Sequence, residues 1–287
     1  MSRKAPTNDN EIYERHTLLS VILDIFFIPI LNSRLFSVIA RKFISTSGEG
    51  SEAKKHASHY QSMEVIYGFD HKLHLERGFK TAVADYVAQH FRNPRALRNR
   101  LQLIKRQHKE YIAATDKKEL TILNLGTGSS RSIFETVLST KNKMYKIILV
   151  DKNPKALSFS KTQAKELGVP HKIYHIQDDI QNISVFAKDL APEIIEMAGL
   201  LEYIKDDAVI TLLNDIFAIM PPGGLLITSN INYNREMKFV EHIMEWPLIY
   251  RDEDALRSII ARSSFNDAKA SILYEPLHIH AVLLLRK

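Results

Sequence analysis

The sequence contains no cysteine, which excludes disulfide bonds, cysteine-ligated zinc and cysteine nucleophiles. Its start, residues 1–15, lacks the basic and then apolar order of a secretory signal, and no apolar run reaches the length of a comfortable membrane-spanning helix. We therefore expect a cytoplasmic protein without a transmembrane span. The 287 residues, 45% hydrophobic and 25% charged, suffice for one large globular domain with an appendage.

Positive charge is concentrated in the first part of the chain. Residues 1–119 hold 20 Lys and Arg against 13 Asp and Glu, whereas residues 120–287 hold 19 against 20. The densest stretch, 92–109, contains no acidic residue. It is interpreted first as a solvated basic face; as a site, Arg98 and Arg100 would clamp a carboxylate or phosphate of a substrate. RNA binding is the rival interpretation, but few aromatic side chains accompany the arginines, and no DNA binding is expected.

Residues 17–31 (TLLSVILDIFFIPIL) form the most apolar segment of the chain. An aspartate and a proline interrupt it, and it is too short to cross a bilayer. Two interpretations remain open: a helix packed on the main domain, or a lid or interfacial helix that touches a membrane surface, because Arg34, Arg41 and Lys42 follow. The segment 46–55 (TSGEGSEAKK), rich in Ser, Gly and charge, is predicted to be a linker.

From residue 119 onward, short apolar runs alternate with helix-length segments, the pattern of a parallel sheet covered on both faces. The predicted strands are Leu120–Leu125, Lys146–Asp151, Lys172–Gln177, Glu193–Ala198, Gly224–Asn230, Ala270–Glu275 and Ile279–Arg286. The last two are separated by only three residues, which predicts an antiparallel hairpin at the sheet edge. Before residue 119 only helices are predicted, one of them opening at Asn93-Pro94. We thus expect a helical N-terminal cap over 1–118 and an α/β domain over 119–287.

Three of the predicted strands end in residues suited to an adenosine-like ligand. The first runs into Gly-Thr-Gly at 126–128, where two glycines let a ligand approach the backbone and the N–H groups of the next helix. The second ends at Asp151, placed to accept ribose hydroxyls, and the third at Asp178 and Asp179, placed to accept an adenine amino group. Each has an alternative interpretation as a tight turn, helix cap or solvated loop, but their order matches one site. Arg131 replaces the third glycine of a dinucleotide fingerprint, which disfavours NAD.

Together these motifs resemble those of the class I S-adenosylmethionine-dependent methyltransferases, over about residues 120–287. Pro-Gly-Gly at 222–224 and the final hairpin extend the resemblance. It implies a Rossmann-like sheet of about seven strands with one antiparallel strand near the edge, methyl transfer as the activity, S-adenosylmethionine as the cofactor and S-adenosylhomocysteine as the product. The implied cofactor residues are Asn124, Gly126, Thr127, Gly128, Ser130, Asp151, Lys152, Asp178, Asp179, Glu196 and Met197. Two of these depart from the family pattern, since Asn124 replaces an acid and Ser130 replaces a third glycine.

Methyl transfer from a sulfonium is an in-line displacement on an activated donor, so positioning and desolvation can supply much of the rate without a catalytic triad. The candidates for acid–base or polarising roles are His59, Tyr60 and Glu196. The first two recur at helical steps from His56 and Met63, so several of these side chains are expected to face one ligand. The alternative is a pair of surface histidines and core tyrosines. No metal is expected, because the histidines lack a third ligand at suitable spacing. The candidate substrate residues are His56, Tyr67, Arg98, Leu200, Tyr203 and Trp246.

The sequence therefore predicts a methyltransferase acting on a small, apolar or anionic, organic or lipid-like acceptor. More narrowly, the segments 98–101, 196–203 and 246–251 resemble those of a bacterial subgroup of small-molecule or lipid-type methyltransferases. The alternatives are an RNA methyltransferase that uses the basic front and a non-catalytic scaffold that binds the cofactor. The sequence does not reveal the acceptor atom or the oligomeric state, and a homodimer is compatible with it.

Overall fold

A seven-stranded sheet lies at the centre of the computed structural model, which describes residues 13–33, 36–140, 142–170, 172–265 and 270–287. The strands are β1 (Glu119–Leu125), β2 (Met144–Val150), β3 (Lys172–Ile176), β4 (Ile194–Met197), β5 (Leu225–Ile231), β6 (Ala270–Tyr274) and β7 (His280–Arg286). Each lies within about two residues of its predicted position. The seven strand predictions are confirmed.

The strand order is β3-β2-β1-β4-β5-β7-β6. Strands β1 to β5 pair in parallel, whereas β7 pairs antiparallel with both β5 and β6. The expected Rossmann-like sheet with its C-terminal antiparallel hairpin is confirmed. Ile231, the last residue of β5, pairs with His280, the first of β7. The start of β7 therefore lies at the same sheet edge as the carboxyl ends of the parallel strands.

Helices cover both faces of the sheet. They are α1 (Leu18–Ile22), α2 (Ile28–Asn32), α3 (Ser37–Thr46), α4 (Gly48–Lys55), α5 (Tyr60–Tyr67), α6 (Phe79–Gln89), α7 (Arg92–Ala114), α8 (Arg131–Ser139), α9 (Pro154–Glu166), α10 (Ile183–Phe186), α11 (Asp206–Ile219), α12 (Met237–His242) and α13 (Glu253–Ala261). A π-helical turn (Leu23–Phe27) joins α1 to α2, and 3-10 turns occupy Leu75–Arg77, Ile180–Asn182 and Leu201–Tyr203. Side chains of α7, α8 and α9 pack on one face of the sheet, and those of α10, α11 and α13 pack on the other.

The front of the chain, residues 13–118 apart from 34–35, is helical as predicted. Its own core joins Leu23 and Ile28 to Ile44 of α3, to Phe91 and to Phe239 of α12. The apolar segment 17–31 thus buries one face against the protein, while much of its other face stays exposed. Helix α7 belongs to the predicted front region but covers the sheet, so the two regions share a core.

The predicted linker at 46–55 is wrong. The chain passes from α3 into α4 with only Ser47 between them. The Ser47 hydroxyl caps α4 by accepting the Gly50 N–H at 2.7 Å, and it donates to Asp85 at 2.7 Å. These buried hydrogen bonds give the glycine- and serine-rich segment the partners that a solvated linker would find in water.

The interpretation of the arginine-rich helix as a solvated basic face is also wrong for its central residues. Arg95, Arg98 and Arg100 of α7 are all buried. The Arg98 guanidinium donates to Glu14, and its Nη1 donates to Gln89 Oε1 at 2.9 Å. Long arginine stems pack among apolar side chains when an internal acceptor satisfies the head group.

Within the described part of the chain, no single helix is long and apolar enough to span a membrane. Residues 18–32 and 37–46 pass that test only as a pair, by length and composition, and they are bent by 118° at the break between them.

Candidate active site

The turn after β1 holds the chain close to a cavity. Gly126 and Gly128 have φ values of 62° and 51°, which L side chains rarely adopt. A Cβ on Gly126 would lie 2.4 Å from Leu200 Cδ1, so a side chain here would require Leu200 to move. Ser130, at the position where the resemblance implies a third glycine, also has a positive φ of 56°. Its N–H donates to the Thr127 carbonyl at 2.8 Å and its hydroxyl contacts Thr127 Oγ1 at 2.8 Å, contacts that hold the serine in this unfavourable conformation.

The acidic ends of β2 and β3 lie beside this turn. Asp151 Oδ2 accepts the Gly128 N–H at 3.1 Å, which ties the second strand end to the glycine turn. Asp178 Oδ1 accepts the backbone N–H of Asp179 at 2.7 Å, and Asp179 caps the next 3-10 turn. Asp151 does not cap the next helix, because Asn153 caps α9; Asp178 and Asp179 do lie in a partly exposed loop. All three carboxylates line the same cavity as the glycine turn.

Glu196 and Asn124 lie side by side on β4 and β1, where they are register partners. Glu196 is buried; Ser132 Oγ donates to its Oε1 at 2.6 Å, and His108 Nε2 lies 3.1 Å from its Oε2 without the geometry of a hydrogen bond. Burial raises the pKa of Glu196 to about 7 and lowers that of His108 to about 3. Among the described residues, Asn124 Oδ1 has no hydrogen-bond partner. This corner of the cavity thus offers oxygen acceptors to a cation.

Residues from the front close the cavity opposite the glycine turn. The Tyr60 ring packs on Phe159 with centroids 4.8 Å apart, and Tyr60 Cβ lies 3.5 Å from where a Cβ on Gly128 would be. His59 precedes α5 and lines the cavity with Tyr67. On the far side, Trp246 Nε1 donates to Tyr203 Oη at 2.6 Å.

Most predicted site residues meet in this one cavity. It is lined by Asn124, Gly126, Thr127, Gly128, Ser130, Asp151, Lys152, Asp178, Asp179, Glu196, His59, Tyr60, Tyr67, Leu200, Tyr203 and Trp246. Three predicted residues do not line it: Met197, His56 and Arg98. No group of three His, Asp or Glu side chains in the described ranges is arranged to hold a metal.

Met197, His56 and Arg98 each lie outside the cavity for a physical reason. The Met197 side chain points into the core beneath the sheet. The chain turns at Ser58, whose φ is 67°, so α4 and α5 are separate helices and the expected helical steps from His56 do not continue. His56 instead contacts Glu52 at 2.9 Å. Arg98 is held by Glu14 and Gln89 away from the cavity.

Sequence reasoning missed Glu202 and His280, which line the inner wall of the cavity with Arg100. Arg100 itself was expected as a possible clamp for a substrate carboxylate or phosphate, and it stands at helical steps of three and four from the apolar Leu97 and Ile104. Strand β7 is buried on both faces for most of its length, so no alternation marks His280.

The comparison with known families decides the assignment. The family described as "Methyltransferase domain" matches residues 116–277, more than half of the chain. The chain belongs to this family. It is a class I S-adenosylmethionine-dependent methyltransferase, and S-adenosylmethionine is its cofactor. No match was found among curated proteins.

Solved structures show the same fold as this methyltransferase at low sequence identity. A possible exported protein from Bordetella parapertussis is 14% identical with a TM-score of 0.69, and the match covers 86% of this chain and 85% of the other. Magnesium protoporphyrin IX methyltransferase from Synechocystis PCC 6803, with S-adenosylhomocysteine bound, is 11% identical with a TM-score of 0.53. That match covers 68% of this chain and 87% of the other.

Proposed function

We propose that this methyltransferase acts on a small, largely apolar organic acceptor held beneath its helical front. The observation that carries the proposal is a single cavity of about 650 Å³ that joins the glycine turn to an apolar chamber. The chamber is lined by Ile44, Phe91, Leu97, Phe239, Val240 and Trp246. A cavity of this volume accommodates small-molecule ligands, and its apolar wall favours an acceptor with a hydrocarbon body.

The cofactor fits the polar end of the cavity. The glycine turn would let its backbone approach the nucleoside, Asp151 would accept the ribose hydroxyls, and Asp178 or Asp179 would accept the adenine amino group, with Lys152 beside them. Asn124 Oδ1 and Glu196 would accept the ammonium of the amino-acid end, because both offer buried oxygens without a cationic contact at that corner. The bound cofactor supplies a methyl group already activated by its sulfonium.

The chain's own residues position the acceptor and exclude water. Tyr60 and His59 cover the glycine turn from the front, while Leu200, Tyr203 and Tyr67 line the path toward the apolar chamber. Positioning and desolvation can supply much of the rate for an activated donor. His59 is the candidate for accepting a proton from a poorly nucleophilic acceptor, with Tyr60 beside it; Glu196 serves the cofactor in this proposal.

The buried arginines count against the RNA alternative. Arg95, Arg98 and Arg100, the central charges of the basic stretch, contact Glu14 or Glu202 inside the protein and are not available to phosphates. Salt-dependent RNA binding requires exposed cations. The non-catalytic alternative rests on Asn124 and Ser130 alone, and Glu196 supplies at the same corner the acidic oxygen that Asn124 lacks.

Calorimetry and a transfer assay test the proposal. We expect both S-adenosylmethionine and S-adenosylhomocysteine to bind, and labelled methyl to transfer to members of a panel of lipid acids, amines and phenols. No detectable binding of either cofactor form would refute the proposed function. A His59→Ala variant with unaltered turnover at saturating cofactor and acceptor would remove the base assignment but leave the cavity proposal intact.

We further propose that the exposed face of residues 18–30 contacts an anionic lipid surface, from which an apolar acceptor enters. Leu18, Ile25 and Phe26 are among its large exposed apolar side chains. Arg41 and Lys42 are exposed on neighbouring α3, which also contributes Ile44 to the cavity wall. Apolar side chains beside cations match the interface of an anionic bilayer.

Sedimentation with vesicles of phosphatidylcholine and phosphatidylglycerol tests this surface. We expect Leu18→Ser to reduce the bound fraction several-fold, because the side chain is 78% exposed on the proposed face. Val185→Ser is the matched control, since Val185 is 77% exposed but lies on α10, outside the front. Equal behaviour of the two variants would overturn the membrane contact.

A further inference from the structure

The inner wall of the cavity contains three buried polar side chains with unsatisfied atoms. They are Arg100 of α7, Glu202 in the 3-10 turn after β4 and His280 at the start of β7, with 3%, 5% and 2% of their surfaces exposed. Arg100 Nε, Glu202 Oε2 and both ring nitrogens of His280 have no hydrogen-bond partner among the residues described. Buried polar atoms are nearly always paired in folded proteins. Three such groups from distant parts of the chain, converging on one cavity, point to a bound polar group.

The existing contacts of Arg100 and Glu202 use other atoms of the two side chains. Arg100 Nη2 donates to Tyr67 Oη at 3.2 Å, and Nη1 donates to Glu202 Oε1 at 3.5 Å. The guanidinium also packs over Gly199, where a Cβ would lie 3.4 Å from both Nη atoms. The head group is thus fixed in place by one edge, while its Nε–H remains a donor without an acceptor.

The charges of this wall select the kind of polar group. One carboxylate, Glu202, already balances the Arg100 guanidinium. Burial and the nearby Arg100 lower the pKa of His280 well below its usual value, so its imidazole is neutral and offers one donor and one acceptor. Burial raises the pKa of Glu202, with Arg100 opposing the shift, so a second carboxylate, brought by a ligand, would pair with Arg100 only where Glu202 takes up a proton. An uncharged hydroxyl needs no such proton uptake: it can accept from Arg100 Nε and from one His280 nitrogen and donate to Glu202 Oε2, which gives each side chain one partner.

We propose that Arg100, Glu202 and His280 form a recognition subsite for an uncharged hydroxyl group on an otherwise apolar acceptor. The inference rests on the proposed function for the location of the acceptor, and it narrows the acceptor class to apolar molecules that carry a hydroxyl group. The three are binding residues, which orient the acceptor; none of them is assigned a proton transfer.

Calorimetry with three matched probes tests the subsite on protein saturated with S-adenosylhomocysteine. The probes are 4-butylphenol, butylbenzene and 4-butylbenzoate at pH 7.5. We expect 4-butylphenol to bind about tenfold more tightly than either of the others, the effect of one well-placed buried hydrogen bond. In His280→Leu, the phenol should bind within about threefold of butylbenzene, while butylbenzene itself binds no more weakly than in the parent.

His175→Leu is the control, because His175 lies on β3 outside the cavity lining and should leave the tenfold preference unchanged. Tightest binding of 4-butylbenzoate, a preserved preference in His280→Leu, or no binding of any probe would each overturn the subsite. If the parent protein does not bind S-adenosylhomocysteine at all, the proposed function fails, and the subsite fails with it.

Discussion

The two ends of the cavity are built in different ways. Residues at the cofactor end come mainly from one stretch of chain, 124–196, and stand at the carboxyl ends of neighbouring parallel strands. Residues at the acceptor end come from places as far apart as Ile44 and His280, on helices of the front, on a turn and on an antiparallel strand. The first end is a local motif, whereas the second exists only after the front has packed on the sheet.

The charged side chains near the two ends also differ in their exposure. The front carries the positive excess of the sequence, but its central arginines are buried and paired with acids. The carboxylates at the strand ends, Asp151, Asp178 and Asp179, keep part of their surface in the cavity or in solvent. Charge along the sequence therefore does not predict which arginines of α7 reach the surface, because their burial depends on acidic partners distant in the chain.

The largest expected effect is a loss of stability when the buried contacts of Arg98 are removed. Arg98→Met removes the guanidinium that donates to Glu14 and to the Gln89 carbonyl, at 2.8 Å in the latter case, and leaves both acceptors short of a donor. We expect the free energy of unfolding to fall by about 3 kcal/mol, measured by urea titration.

Arg262→Met is the control for this loss. Arg262 contacts Asp207 at 2.8 Å, but both side chains are mostly exposed, so its removal should cost less than about 1 kcal/mol. An equally small loss of unfolding free energy in both variants would mean that Arg98 lies on a solvated face, as the sequence first suggested.

The glycine turn should show the next largest effect. In Gly126→Ala the new Cβ would meet Leu200, a cavity-lining side chain, and would also force alanine into a positive φ. We expect affinity for S-adenosylmethionine to fall about 100-fold by calorimetry, because Leu200 must move and the turn must distort.

Gly168→Ala is the control for placing alanine at a positive φ outside the cavity lining. Gly168 has a φ of 63° and nothing within 4 Å of its absent Cβ. This variant should lose about 1 kcal/mol of stability and bind cofactor normally. A similar loss of affinity in both variants would show that the effect of Gly126→Ala is not specific to the glycine turn.

The difference between a locally built cofactor end and an acceptor end assembled from distant residues explains how much the sequence could predict. Strand positions, the hairpin and the glycine turn follow from local patterns of apolar residues, turns and lengths, and all appear as expected. The linker was wrong because the capping of α4 depends on Asp85, 38 residues away from Ser47. Arg98 was misplaced for the same reason, since its position depends on the distant Glu14. His56 was misplaced for a local reason, because the backbone turns at Ser58 with a positive φ that the helical spacing did not indicate.

The smallest expected effect is a pH dependence of stability caused by Glu196. Its pKa is raised from 4.5 to about 7, chiefly by burial. The folded protein thus keeps this proton at pH values where the unfolded chain has lost it, and the stability it contributes falls as the pH rises from about 4.5 to about 7. Relative to Glu196→Gln, which does not titrate there, the parent should lose about 2 kcal/mol of unfolding free energy between pH 5 and 7.5.

Glu245→Gln provides a control of opposite sign. Its contact with Lys54 lowers the pKa of the exposed Glu245, so any stability from that pair is lost only as the pH falls through acidic values. The difference between the parent and this variant should stay flat from pH 5.5 to 7.5. Parallel curves for the parent and Glu196→Gln over the same range would mean that Glu196 is ionised throughout. Saturating S-adenosylmethionine should also flatten the dependence of the parent's unfolding free energy on pH. If Glu196 accepts the cofactor's ammonium as proposed, the added cation favours the carboxylate.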